Sequence, residues 1–151
     1  MDNKVLRMGV VGCGFFGQKH ADIINQIPNA RLVAVCDIQE DAARNAGRMF
    51  GVNNYTSCQE MLDKEQIDAV SICVSEDFHL EPALCAAKNG KHILLEKPIA
   101  RNAVEAEQIK QAALENNVRL MVAHVCEFDG RYRYTADAIE RGELGEIISI
   151  Y

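Results

Sequence analysis

Three short stretches of the sequence carry residue types that can do chemistry. Gly12-Cys13-Gly14-Phe15-Phe16-Gly17 fits the spacing G-x-G-x-x-G. Asp37 lies 20 residues beyond Gly17, just after the apolar run Arg31–Cys36. Glu96-Lys97-Pro98 follows another such run, His92–Leu95. In the first stretch each glycine has a steric task. Gly12 permits a tight turn, Gly14 lets backbone approach a pyrophosphate, and Gly17 lets a helix pack close to a strand. The N–H groups of the first helical turn, at Phe15 and Phe16, then face the phosphates, and the helix dipole favours their charge.

An acid placed like Asp37 accepts hydrogen bonds from adenosine ribose hydroxyls. Its charge repels a 2′-phosphate, so we expect NAD, with NADP disfavoured. Ile38-Gln39-Glu40 brings no compensating cation, and Arg44 is a weaker candidate for one. Two other readings remain open. The loop can be a plain glycine turn with a helix-capping Asp37 nearby, or the glycine loop and acid of a methyltransferase. The third glycine and the immediate helix start favour a dinucleotide.

These residues need elements to position them. Lys4–Val11, Arg31–Cys36, Ala69–Val74, His92–Leu95 and Val118–Ala123 are short aliphatic runs. Near-continuous apolar character marks strands covered on both faces, as in a parallel sheet. Helix-length segments alternate with them. Phe16, His20, Ile23, Ile24 and Ile27 recur as one helical face before Pro28. Asp41–Phe50, Glu81–Asn89, Val104–Glu115 and Arg131–Glu140 read as further helices, with Val104, Ile109, Ala112 and Ala113 as an apolar face. A short strand and helix fall between Gly51 and Ala69, and Glu146–Tyr151 reads as the start of another strand. The alternation predicts an α/β fold with a doubly wound parallel sheet, the Rossmann dinucleotide-binding fold.

Composition narrows the function classes. The 151 residues carry 16 Lys+Arg against 22 Asp+Glu, a formal charge of −6, which argues against nucleic acid as a main partner. No apolar run approaches the roughly 20 residues of a membrane helix. Arg7, Gly9, Gly12, Gly14 and Gly17 break any signal-peptide core at the N-terminus. Six scattered cysteines form no C-x-x-C pair, so we expect free thiols in a reducing cytoplasm and neither a disulfide framework nor a metal site.

The strand end Glu96-Lys97-Pro98, preceded by Gly90-Lys91-His92 and taken with the glycine loop, resembles the glucose–fructose oxidoreductase/inositol dehydrogenase (Gfo/Idh/MocA) family. The resemblance spans essentially the whole chain. His79, Ala86-Ala87 and Gly142-Glu143-Leu144-Gly145-Glu146-Ile147 extend it. It implies an NAD-dependent oxidoreductase moving hydride between a nicotinamide and a hydroxyl-bearing carbon of a sugar, polyol or related small alcohol. Lys97 becomes the candidate catalytic residue, close to the nicotinamide and the reacting hydroxyl. Glu96 is expected to orient Lys97 or touch the cofactor, and Pro98 to fix an unusual backbone, with the sequence leaving cis and trans open. Val74 and Ser75 are expected to border the nicotinamide ribose; His79 is expected either to join them at the cofactor or to cap and pack the following helix. His20 also matches, and helix packing explains it about as well.

The chain departs from the family pattern too. Val74-Ser75-Glu76 stands where Thr-Pro-Asn is common, and Glu127 replaces a usual arginine. Family members are much longer and carry the catalytic histidine in a second, substrate-binding domain, often with the oligomer interface. We therefore expect residues 1–145 to form the dinucleotide-binding domain and 146–151 to begin the substrate domain, so that this chain alone is inactive and its parent a homo-oligomer. The competing expectation is a non-catalytic dinucleotide-binding regulatory module.

Overall fold

A computed structural model describes residues 5–149 of the chain. Six strands form a single parallel sheet: β1 (Leu6–Val11), β2 (Ala30–Cys36), β3 (Asn53–Tyr55), β4 (Ala69–Ile72), β5 (His92–Leu95) and β6 (Leu120–Val122). Their spatial order is β3-β2-β1-β4-β5-β6, with every neighbouring pair parallel. The connecting helices are α1 (Phe15–Gln26), α2 (Glu40–Phe50), α3 (Cys58–Lys64), α4 (Leu80–Lys88), α5 (Ala103–Glu115) and α6 (Gly130–Glu140). Single 3-10 turns follow β4 and β6, at Glu76–Phe78 and Val125–Phe128. The sheet reverses direction of growth between β1 and β4, and in open parallel sheets the crevice at that point takes the ligand.

Two apolar layers sandwich the sheet. Val10, Leu32 and Val35 face Ala21, Ile24 and Ala46 on one side. Val70, Ile72 and Leu95 face Met61, Ala83, Ala86 and Ile109 on the other. The alanines let helices lie close to the strands, which is how short strands bury completely.

Several boundaries and faces differ from the sequence expectation. β4 stops at Ile72, leaving Cys73 and Val74 in the loop, and β6 covers only Leu120–Val122. The buried stripe of α1 is Gly17, Ala21 and Ile24, whereas Phe16, Ile23 and Ile27 are exposed. The cause is steric: a Cβ at Gly17 would lie 1.7 Å from the Gly12 carbonyl oxygen, so backbone meets backbone there and a large side chain has no place. Val104 is likewise exposed, and α5 buries Ile109, Ala112 and Ala113 instead. No strand forms over 146–149, while Ile150 and Tyr151, and Lys4 at the other end, lie outside the described residues.

Candidate active site

The glycine loop leaves β1 at the crevice. Gly12 has φ +94°, and a Cβ on it would meet the backbone of Cys73 and Val74 at 2.8 Å. Only glycine allows the two strand exits to touch in this way. Gly14 caps α1 with no side-chain acceptor, and a Cβ built on it meets nothing within 4 Å. The first intrahelical bond runs from the Gln18 N–H to the Gly14 carbonyl at 3.0 Å. Ahead of it, the N–H groups of Phe15, Phe16 and Gly17 find no acceptor among the described residues and the first turn holds no acid. This is an open, electropositive cradle of the kind that takes phosphate. Burial beside Asp37 pushes the Cys13 thiol up to about 12, so the loop carries no competing negative charge.

Asp37 has two tasks. Its Oδ2 accepts the Cys13 N–H at 2.7 Å and its Oδ1 accepts the Gln39 N–H at 2.9 Å. The carboxylate thus clamps the glycine loop to the end of β2, and each oxygen keeps a lone pair for a hydroxyl. Ile38 beside it is exposed. Arg44 is tied to Glu40 and to Asp41, so its guanidinium is already paired with two carboxylates. Asp37, Ile38, Thr56, Val74, Phe78 and Arg101 border a cavity of about 710 Å³ at this end of the crevice.

On the far side of β4, Ser75 is exposed and Val74 half-buried. His79 was expected at the cofactor, but its ring is buried, at 1% exposure. Nε2 lies 3.1 Å from the Val74 carbonyl and Nδ1 3.3 Å from that of Ile99. The imidazole is spent on pinning the β4 loop to the turn after β5 and presents no ring nitrogen to a ligand. Glu96 is also buried, its carboxylate held by His20 and by the Lys97 N–H. It therefore orients the Lys97 backbone rather than the ammonium. The Lys97–Pro98 bond is cis. Lys97 itself is exposed, with no ion pair among the described residues, at the same sheet edge as the glycine loop.

Residues 6–124 match the oxidoreductase family with an NAD-binding Rossmann fold, the GFO_IDH_MocA family. The chain belongs to this family. Myo-inositol 2-dehydrogenase of Thermotoga maritima is 30% identical over 142 residues, covering 93% of this chain and 42% of the relative. The 2,7-anhydro-N-acetylneuraminate hydratase of Escherichia coli is 31% identical over 147 residues, covering 97% of this chain and 39% of the relative. Scyllo-inositol dehydrogenase from Lactobacillus casei, solved with bound NAD(H) and scyllo-inositol, superposes with a TM-score of 0.87 at 30% identity, over 95% of this chain and 43% of that one. The chain thus spans about two-fifths of the length of these relatives.

Within this Gfo/Idh/MocA domain, further residues stand at the candidate site. The Gln18 side chain donates to the Cys13 carbonyl at 2.9 Å and braces the glycine loop. Arg101 at the cavity rim is held by Glu105, whose carboxyl it lowers below the ordinary range. His20 and Ser71 stand 2.7 Å apart beneath the edge. His20 is matched in the sequence by the family resemblance, with helix packing as the other reading; for Ser71 the one signal is a serine inside the apolar strand Ala69–Ile72.

Proposed function

We propose that residues 1–145 form the NAD-binding half of an oxidoreductase that acts on a hydroxyl of a neutral polyol or sugar, with a substrate domain beginning at 146–151. One observation carries the reading: Lys97, exposed and without an ion-pair partner among the described residues, lies at the sheet edge onto which the glycine loop opens. When bound, NAD supplies a nicotinamide ring that accepts or returns hydride. The chain's own residues do the rest. The N–H groups of Phe15, Phe16 and Gly17 take the pyrophosphate, while Asp37 and Ile38 border the adenosine ribose. Val74 and Ser75 line the path toward Lys97. The Lys97 ammonium donates to the substrate oxygen and stabilises alkoxide charge as the hydroxyl proton leaves.

Two features support the finer points. Asp37 with the paired Arg44 disfavours a 2′-phosphate, which points to NAD over NADP. Glu127, exposed on the 3-10 turn after β6, puts a carboxylate at the substrate edge; it repels acids and accepts hydrogen bonds from hydroxyls. The face beside it is apolar and uncovered. Among the described residues, α6 buries only Ala138, while Phe128, Tyr132 and Tyr134 are exposed, as suits a surface on which a second domain packs.

Titration calorimetry of the chain with NAD and NADP tests the cofactor assignment. NAD binds more tightly; equal or tighter NADP binding overturns the preference. Asp37→Ala weakens NAD by about 1–3 kcal/mol, the range for a hydrogen bond to a charged group. The same change narrows the gap to NADP, because the repulsion leaves with the carboxylate.

A further inference from the structure

Three polar side chains meet beneath the sheet edge, in an otherwise apolar interior. His20 comes from the second turn of α1, Ser71 from β4, and Glu96 from the residue after β5. His20 Nδ1 lies 2.7 Å from Ser71 Oγ, and Nε2 lies 3.1 Å from Glu96 Oε1. The second carboxylate oxygen accepts the Lys97 N–H at 3.1 Å. Cys73 Sγ stands 3.6 Å from Ser71 Oγ.

One placement of protons satisfies every member. A carboxylate only accepts, so His20 Nε2 carries a hydrogen toward Glu96. In the neutral ring Nδ1 then holds a lone pair and takes the Ser71 hydroxyl hydrogen. The serine oxygen in turn accepts from the Cys73 thiol, which burial keeps protonated by pushing it up to about 11. The bonds run in one direction from Cys73 to Glu96, whose other oxygen accepts the Lys97 N–H. Burying a carboxylate is costly, and an apolar cluster of the same volume would pack at least as well. Ser71 is fully buried, so the group is no hydrolytic triad open to a substrate.

We propose that His20 is a positioning residue for Lys97: it fixes Glu96, and Glu96 fixes the backbone from which the lysine springs. Lysine has a long, flexible stem, so its ammonium is placed only as well as its Cα. His20 stands on the helix whose N-terminus offers the phosphate cradle. The brace therefore sets Lys97 against the cofactor's anchor. This inference rests on the reading of Lys97 as the group at the nicotinamide end of the site.

The test uses the 151-residue chain with its lysines dimethylated by ¹³C-formaldehyde, a change that keeps their charge. The Lys97 signal is assigned by its absence in Lys97→Arg, and NAD affinity is measured by calorimetry. In the wild type, NAD shifts the Lys97 methyl resonance. In His20→Ala the affinity stays within threefold, while the Lys97 response falls at least fivefold. His20→Gln, whose amide still donates toward Glu96, restores half of the response or more. An unchanged Lys97 response in His20→Ala overturns the proposal. So does an NAD affinity that falls in step with the response, since His20 would then serve the glycine loop. If His20→Ala does not fold, His20→Leu decides: it fills much of the same space but offers Glu96 no donor, and a wild-type Lys97 response there is equally fatal. A wild-type chain that binds no NAD, or binds it with Lys97 silent, removes the functional reading and this proposal together; the other outcomes bear on the proposal alone.

Discussion

Gly14→Val abolishes NAD binding and leaves thermal stability close to wild type. The backbone at Gly14 has φ −70° and ψ −166°, extended values that valine adopts readily. A Cβ there meets no atom within 4 Å, so the fold has little to lose, and the change stays within about 0.5 kcal/mol of neutral. That same open space lies before the free N–H groups of Phe15, Phe16 and Gly17. An isopropyl group in it takes the place of a phosphate. Each hydrogen bond to a charged group contributes about 1.5–3 kcal/mol, so losing two costs about 3–6 kcal/mol, a hundredfold or more in affinity. Gly17→Ala gives the contrasting result. Its methyl would lie 1.7 Å from the Gly12 oxygen and 2.8 Å from the Gly12 carbonyl carbon, both backbone atoms that cannot swing aside. The loop has to move, and stability falls by about 1–3 kcal/mol, the usual cost of overpacking. Melting curves and calorimetry on the two variants separate the effects. Normal NAD binding by Gly14→Val would show that the loop holds no phosphate.

The difference between those two glycines marks what the sequence could reveal. Gly12, Gly14, Gly17 and Asp37 lie within one strand–loop–helix–strand unit, where spacing along the chain nearly dictates spacing in space. Their arrangement was therefore legible, and so was the strand end that delivers Lys97. The brace was not. Residues 20, 71 and 96 come from three elements, and only the order β1-β4-β5, with α1 lying across it, brings them together. The face read for α1 is right at His20 and Ile24 and wrong at Phe16, Ile23 and Ile27, for a related reason. Hydrophobicity favours Phe16, Ile23 and Ile27, while the sheet accepts Gly17, Ala21 and Ile24 because closeness there is limited by volume. His79 illustrates a third limit. A histidine at its position suits either the cofactor or the packing of the next helix, and its two carbonyl partners, from Val74 and Ile99, decide for a ring that holds two loops together.

The 151-residue chain binds NAD yet oxidises no polyol or sugar at a measurable rate. Lys97 is exposed, and none of the described residues pairs with its ammonium. Its charge is therefore screened by water, and the help it gives a developing alkoxide is a fraction of what a dry site provides. Positioning is the larger deficit. Holding a hydroxyl-bearing carbon in line with a nicotinamide is worth roughly 7–11 kcal/mol of barrier, and one flexible lysine cannot supply it. On the proposed reading, the second domain packs on the exposed face at Phe128, Tyr132 and Tyr134 and closes over the substrate. The check is a screen of polyols and sugars with NAD, following absorbance of the reduced cofactor. Turnover that disappears with Lys97→Ala would show that two-fifths of the relatives' length suffices for chemistry. In a protein that does carry the covering domain, Lys97→Ala lowers kcat far more than it weakens NAD binding. The lysine meets the substrate oxygen as charge develops there, whereas the phosphates and ribose are held by the glycine loop and Asp37, which the substitution leaves untouched.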